Sequence, residues 1–170
     1  MARDHSAYVF RGNAYRELPE LDAWTRLRHE DPLEPELPIV DPHHHVWDRP
    51  GSRYLLDELV ADVSSGHNIV ATVFIECGTM YRADGPVAMQ PVGEVEFVNG
   101  IAAMSASGQY GSTRLCAGLI GHADLMLGKD VQPVLEALIA AGNGRLRGIR
   151  HGVTWDTGNA ARFGRRQVPP

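Results

Sequence analysis

The residues best equipped for chemistry lie together in Ile39-Val40-Asp41-Pro42-His43-His44-His45-Val46-Trp47-Asp48, which holds three of the chain's eight histidines. Two apolar residues lead into the run, so it reads as the end of a buried β-strand. Side chains on a strand alternate between faces, which sends His43 and His45 to one side, with Asp41, and His44 to the other. Two imidazoles on one face can share a single divalent metal ion, zinc or manganese, and a neighbouring carboxylate can bind the same ion or fix a ring tautomer. A bare H-x-H also describes a solvated histidine-rich turn. The D-x-H-x-H setting is what favours a metal site built on His43 and His45.

Further polar residues stand at the ends of otherwise apolar runs. Glu76 closes the β-branched stretch from Asn68 to Cys77, His122 and Asp124 follow Leu115 to Ile120, and Arg150 and His151 follow Leu146 to Ile149. Each alone has a plain structural reading as a satisfied polar group at a strand end. Together they make Glu76, His122, Arg150 and His151 candidate substrate-binding residues. Arg150 in particular has a planar fork suited to a carboxylate. Arg82, in the long Gly- and Pro-containing loop from Gly78 to Gly93, is a fifth candidate. At about 16 residues that loop exceeds the usual connection length, which suits a lid or binding loop over the site; the plain alternative is a surface loop that only joins strand to helix. No residue is singled out as the catalytic acid or base.

These residues need a scaffold, and the hydrophobic periodicity supplies one. Residues 1 to 37, broken by Pro19, Pro32 and Pro35, read as an irregular leader in which only Asp22 to His29 makes a short helix, with Leu21, Trp24 and Leu27 as its apolar stripe. Pro50-Gly51 breaks the chain after the histidines. Leu55 to Val63 reads as a helix, and the run from Asn68 to Cys77 as a strand buried on both faces. A helix from Glu94 to the Ser-Gly punctuation near Gly108 comes next, then the strand Leu115 to Ile120. Asp130 is expected to cap a helix with Val131, Val134, Leu135, Leu138 and Ile139 on its inner face, stopped by Gly142 and Gly144, before a last strand at Leu146 to His151. The order β-α-β-α-β-α-β implies an α/β fold with a parallel sheet, and ligands in such sheets collect at the carboxyl ends of the strands.

Composition narrows the function classes. A net charge of -5, with the basic residues scattered, argues against a nucleic-acid partner. No apolar run reaches the ~20 residues that span a bilayer, so no membrane partner is expected and a cytoplasmic protein is the default. Cys77 and Cys116 sit in apolar runs and read as buried, reduced thiols. A small-molecule substrate, anionic by the arginine candidates, is the expected partner. A flavodoxin-like domain is disfavoured because no Gly-rich phosphate turn follows the first strand.

Three segments, Val40-Asp41-Pro42-His43-His44-His45-Val46-Trp47-Asp48, Val73-Phe74-Ile75-Glu76-Cys77-Gly78 and Arg147-Gly148-Ile149-Arg150-His151, resemble the amidohydrolase superfamily in its amidohydrolase-related branch, which includes lactonases and nonoxidative decarboxylases. The resemblance covers most of the chain after Pro38. It implies a TIM-like (β/α) barrel in which the H-x-H of the first strand, here His43 and His45, supplies two metal ligands. Later strands of such barrels add further histidines and an aspartate, and this sequence reaches Pro170 without them. Residues 38 to 170 therefore read as a partial barrel with the first four strands only, a half-barrel. The chain's single lysine, Lys129, lies before the third helix, so a carboxylated lysine bridging two metals is not implied and one metal ion is. The expected function is a truncated metal-dependent hydrolase acting on a small carboxylated lactone or amide once a homo-oligomer or a complementing second half completes it. The alternative is a non-catalytic half-barrel that serves as a remnant or an assembly module.

Overall fold

The computed structural model describes residues 18–152. The expectations for residues 1 to 17 and for the stretch after Gly152 lie outside them. Four parallel strands form the main sheet: β1 (Ile39–His44), β4 (Ile69–Ile75), β5 (Arg114–Gly121) and β6 (Leu146–Ile149), in the spatial order β1-β4-β5-β6. Between β1 and β4 the chain makes a small antiparallel hairpin of β2 (Trp47–Arg49) and β3 (Ser52–Tyr54). Helices α2 (Leu56–Val63), α3 (Val92–Ala106) and α4 (Gln132–Gly142) provide the three crossovers, and α1 (Leu18–Thr25) precedes the sheet. Each crossover leads to the adjacent strand, so spatial order follows chain order. A doubly wound sheet would instead reverse its order at a switch point.

The core lies between the sheet and its helices. Phe74 of β4 and Leu119 of β5 are fully buried, as are Val98 of α3 and Leu138 of α4. Close packing explains two glycines. A Cβ on Gly121 would stand 3.1 Å from Val95 Cγ2, and one on Gly142 would meet Leu146 Cβ at 2.9 Å. Sheet and helices therefore approach more closely at these points than a side chain permits.

Several expected elements shift, each for a physical reason. The leader helix is Leu18–Thr25, earlier than Asp22 to His29, and Leu21, Trp24 and Leu27 are exposed because they belong to no core cluster. Strand β4 is not buried on both faces: Thr72 and Phe74 are enclosed while Val70 is exposed and Val73 and Ile75 are half-buried. Helix α3 starts at Val92, so Gly93 is a helical residue against which Arg82 N and Met80 O press, where a Cβ would come within 2.7 Å. Asp130 caps nothing. Instead Asp124 accepts the Met126 N–H and opens a 3₁₀ segment, Leu125–Val131, from which α4 continues. Val134 and Leu138 are buried as expected, but Ile139 is 62% exposed. Gly142 remains inside α4, and Asn143 takes the left-handed C-terminal position at φ 45°. The hairpin was not expected at all, although Pro50-Gly51 between short polar-apolar runs is a two-residue turn signal.

Candidate functional site

Strand β1 is irregular where the histidines begin. Its pairing with β4 shifts between Asp41, opposite Thr72, and His44, opposite Phe74. The Asp41 carboxylate accepts the His43 backbone N–H at 3.0 Å. Asp41 thus shapes the bulge and pairs in register with a buried residue; it does not join His43 and His45 as expected from strict alternation. His44 goes the other way, as alternation requires. It is 8% exposed, shares a 2.9 Å hydrogen bond with Thr72 Oγ1, and packs edge-on against Phe74 with ring centroids 6.0 Å apart. The same Thr72 hydroxyl accepts the Cys116 N–H, so His44 ties three strands together at their cores. Burial pushes its imidazole below the ordinary 6.5.

His43 and His45 come together on the opposite side. Their Nε2 atoms are 3.3 Å apart, with the rings edge to face. His45 Nδ1 lies 2.7 Å from the Ile75 carbonyl. A carbonyl can only accept, so Nδ1 carries the proton and Nε2 keeps its lone pair. That is the tautomer a metal-binding imidazole needs, fixed by a backbone partner behind it. Two nitrogens bound to one tetrahedral zinc at ~2.0–2.1 Å would be about 3.3–3.4 Å apart, which the observed separation matches. Burial holds the His45 imidazole below its ordinary value, and the Ile75 hydrogen bond opposes the shift; His43 and Arg150 add to it, and Glu76 works against them. His45 is therefore neutral at neutral pH. Among the described residues there is no group of three or more His, Cys, Asp and Glu side chains arranged to hold a metal ion, so these two nitrogens are an incomplete set.

The other candidates occupy the same strand ends in different ways. Glu76 is 4% exposed, and Arg150 donates from Nε to its carboxylate at 2.7 Å and from Nη2 to its backbone carbonyl at 2.6 Å. Arg150 thus spends its fork on Glu76, bracing β6 against β4. His122 Nδ1 donates to the Arg150 carbonyl at 2.9 Å, and its ring stacks on that of His151 at 5.7 Å, nearly parallel. His151 Nδ1 lies 3.2 Å from the Ala123 carbonyl, and its Nε2 is buried without a partner. His45, His122 and His151 each bring Nδ1 within hydrogen-bond distance of a carbonyl near the end of a neighbouring strand. Arg82 is elsewhere: its guanidinium pairs with Glu96 of α3, and its backbone N–H bonds Gln90 O at 3.0 Å. The long loop folds back on α3, with a 3₁₀ turn at Val87–Met89, and does not bring Arg82 to the histidines.

Two features were missed in the sequence. The first is Glu94, fully buried in the first turn of α3. One carboxylate oxygen accepts the N–H groups of Cys77 at 3.0 Å and Thr79 at 2.9 Å, while the other has no partner. This clamps the chain just past Glu76. Burial raises the Glu94 carboxyl above its ordinary 4.5, and burial, with Glu94 beside it, pushes the Cys77 thiol up to about 11. An acidic residue three places after Pro91 inside an apolar helix was the available signal. The second is the hairpin, which follows the histidines directly. Trp47 sits 6.1 Å from the His45 ring and 6.1 Å from Tyr54, and the Arg49 guanidinium lies 4.8 Å above Trp47. A concavity of about 660 Å³ runs along the turn from Asp48 to Arg53 and does not take in the paired histidines; the imidazole geometry, not that hollow, marks the metal candidate. Both free cysteines are buried, and no helix among the described residues is long and apolar enough to cross a membrane. No family model, no curated protein and no solved structure matches this chain.

Proposed function

We propose that the chain carries the first-strand half of a divalent metal site, held by His43 and His45, in a hydrolase of the amidohydrolase-related kind built on a (β/α) half-barrel. The observation that carries this reading is the pair of Nε2 atoms 3.3 Å apart, one of them fixed in its tautomer by the Ile75 carbonyl. The unreversed strand order supports the barrel component, because a barrel winds in one direction. A bound zinc or manganese ion would polarise a substrate carbonyl and lower the pKa of a coordinated water toward ~7. The chain's own residues orient His45 from behind, balance the charge beside it through Glu76 and Arg150, and offer His122 and His151 as contacts for a small carboxylated lactone or amide. The remaining ligands and the general base come, in this proposal, from outside the described residues, in a longer native chain, a second copy or a complementing partner. The alternative, a non-catalytic module of the same architecture, is favoured only by the lack of a third ligand near His43 and His45 among the described residues.

Zinc titration of the chain separates the two. The hydrolase reading expects one weak site per chain that strengthens from acid to neutral pH and disappears in the double variant His43→Ala, His45→Ala. Metal content unchanged by that variant would refute it, and nanomolar, pH-independent binding would refute the incomplete-site reading.

A further inference from the structure

Three of the arginines on the hairpin, on the long loop and after the last strand are closed on carboxylates. Arg150 is closed on Glu76, and Arg82 on Glu96. On the hairpin, Arg53 pairs with Asp57 and Glu58. Arg49 is exposed, has no carboxylate partner among the described residues, and donates one hydrogen bond, from Nη2 to the Cys77 carbonyl at 3.3 Å. A guanidinium carries five N–H donors in a planar fork, so most of its donor capacity remains open.

Its position is set from two sides. Trp47 lies beneath it at 4.8 Å, and Trp47 is itself pinned by donating from Nε1 to Ser52 Oγ at 3.1 Å. The Cys77 carbonyl holds one edge. His45 is anchored to the Ile75 carbonyl on the same strand, and two residues of chain span at most about 7 Å. The guanidinium and the metal-candidate imidazole are therefore fastened to neighbouring points of one strand end, with the Trp47 ring between them. The hollow along the hairpin turn is lined by Arg49 and gives a ligand access to it.

We propose that Arg49, stacked on Trp47, is the residue that recognises an anionic ligand at this rim, and that the ligand class is a small planar carboxylate whose flat body lies along Trp47 toward His45. This assigns to Arg49 the role that the sequence suggested for Arg150. It rests on the reading of the strand ends as a ligand site but needs no metal. The carboxylate takes the open donors of the fork bidentately, and the tryptophan face excludes water from one side of the pair.

Calorimetric titration of the full chain with benzoate, and with benzamide as its uncharged counterpart, tests this. Wild type should bind benzoate in the millimolar range and benzamide more weakly. Arg49→Gln should weaken benzoate at least tenfold and leave benzamide unchanged, Arg49→Lys should fall between, and Arg82→Gln should have no effect because that arginine is closed on Glu96 and does not line the hollow. Circular dichroism of each variant confirms that the hairpin change leaves the fold intact. Equal benzoate affinity in wild type and Arg49→Gln, equal losses in Arg49→Gln and Arg82→Gln, or no benzoate binding by wild type would each overturn the assignment. Zinc binding measured on the same samples keeps the two readings apart. Loss of zinc binding without loss of Arg49-dependent benzoate binding would sink the metal proposal alone, and the reverse would sink this one alone.

Discussion

Replacing Glu94 should reveal how the strand-end loop beside the candidate site is held. Glu94 is fully buried, and one oxygen accepts two N–H groups, from Cys77 and Thr79, both of which are 8% exposed. Glu94→Ala strands both donors away from water, at ~1–3 kcal/mol for each buried donor left without a partner, and about 3–5 kcal/mol is a reasonable total. Glu94→Gln keeps an acceptor in the same place and carries no charge. Its NH₂ takes the position of the unpartnered oxygen, much as the protonated acid would, so its effect at pH 7 should stay within about 1 kcal/mol.

The pH dependence has a definite sign. Burial raises the Glu94 carboxyl above 4.5, so the folded chain holds this proton more tightly than the unfolded chain. The stability it contributes is then present below the unfolded value and is lost as pH rises through the folded one. Glu94→Gln should match wild type near pH 4 and gain on it as pH rises from 4.5 through the folded value, with no further gain above that. Urea unfolding followed by circular dichroism at pH 4, 6 and 8 measures the difference. An alanine variant costing less than about 1 kcal/mol, or a glutamine variant that loses ground as pH rises, would refute the clamp.

Other substitutions probe other parts of the same argument. In a double-mutant cycle, Arg150→Gln should cost about 2–3 kcal/mol because it takes a hydrogen-bonded guanidinium from the buried Glu76 carboxylate, and Glu76→Gln should cost less; additive effects measured by urea unfolding would mean the pair is not coupled. Gly142→Ala pushes a methyl toward Leu146 Cβ at 2.9 Å and should destabilise by ~1–3 kcal/mol from overpacking, checked by thermal melting. Burial depresses the His44 imidazole, so the fold should lose stability as pH falls below 6.5, and His44→Asn should flatten that decline in denaturation midpoints between pH 7 and pH 5.

The parallel sheet was legible because its signals are local. Val70-Ala71-Thr72-Val73-Phe74-Ile75 is a β-branched, apolar run, and α4 repeats its buried residues at Val134 and Leu138 with helical spacing. Alternation also separated His44 from His43 and His45 correctly. The expectations that moved depended on neighbours that periodicity does not report. Ile139 satisfies the helical pattern and is exposed, because burial requires a facing surface and not only a spacing. The Leu21, Trp24 and Leu27 stripe is exposed for the same reason. Gly93 read as loop because glycine usually ends a helix, but here the close approach of Met80 and Arg82 demands it within one.

The site was legible in its residue types and not in its pairings. Arginine and carboxylate at successive strand ends were visible, but the sequence does not say that Arg150 closes on Glu76, 74 positions away, and a paired guanidinium is a brace where an open one is a binding group. Arg49 shows the converse. It follows a tryptophan and an aspartate in what looks like a turn, and only the hairpin places it above Trp47 and beside Cys77, with no carboxylate partner among the described residues. The positive charge available to a ligand is therefore decided by which arginines the fold has already satisfied. At this rim that criterion points away from the arginine with the more suggestive strand-end position and toward the one on the hairpin.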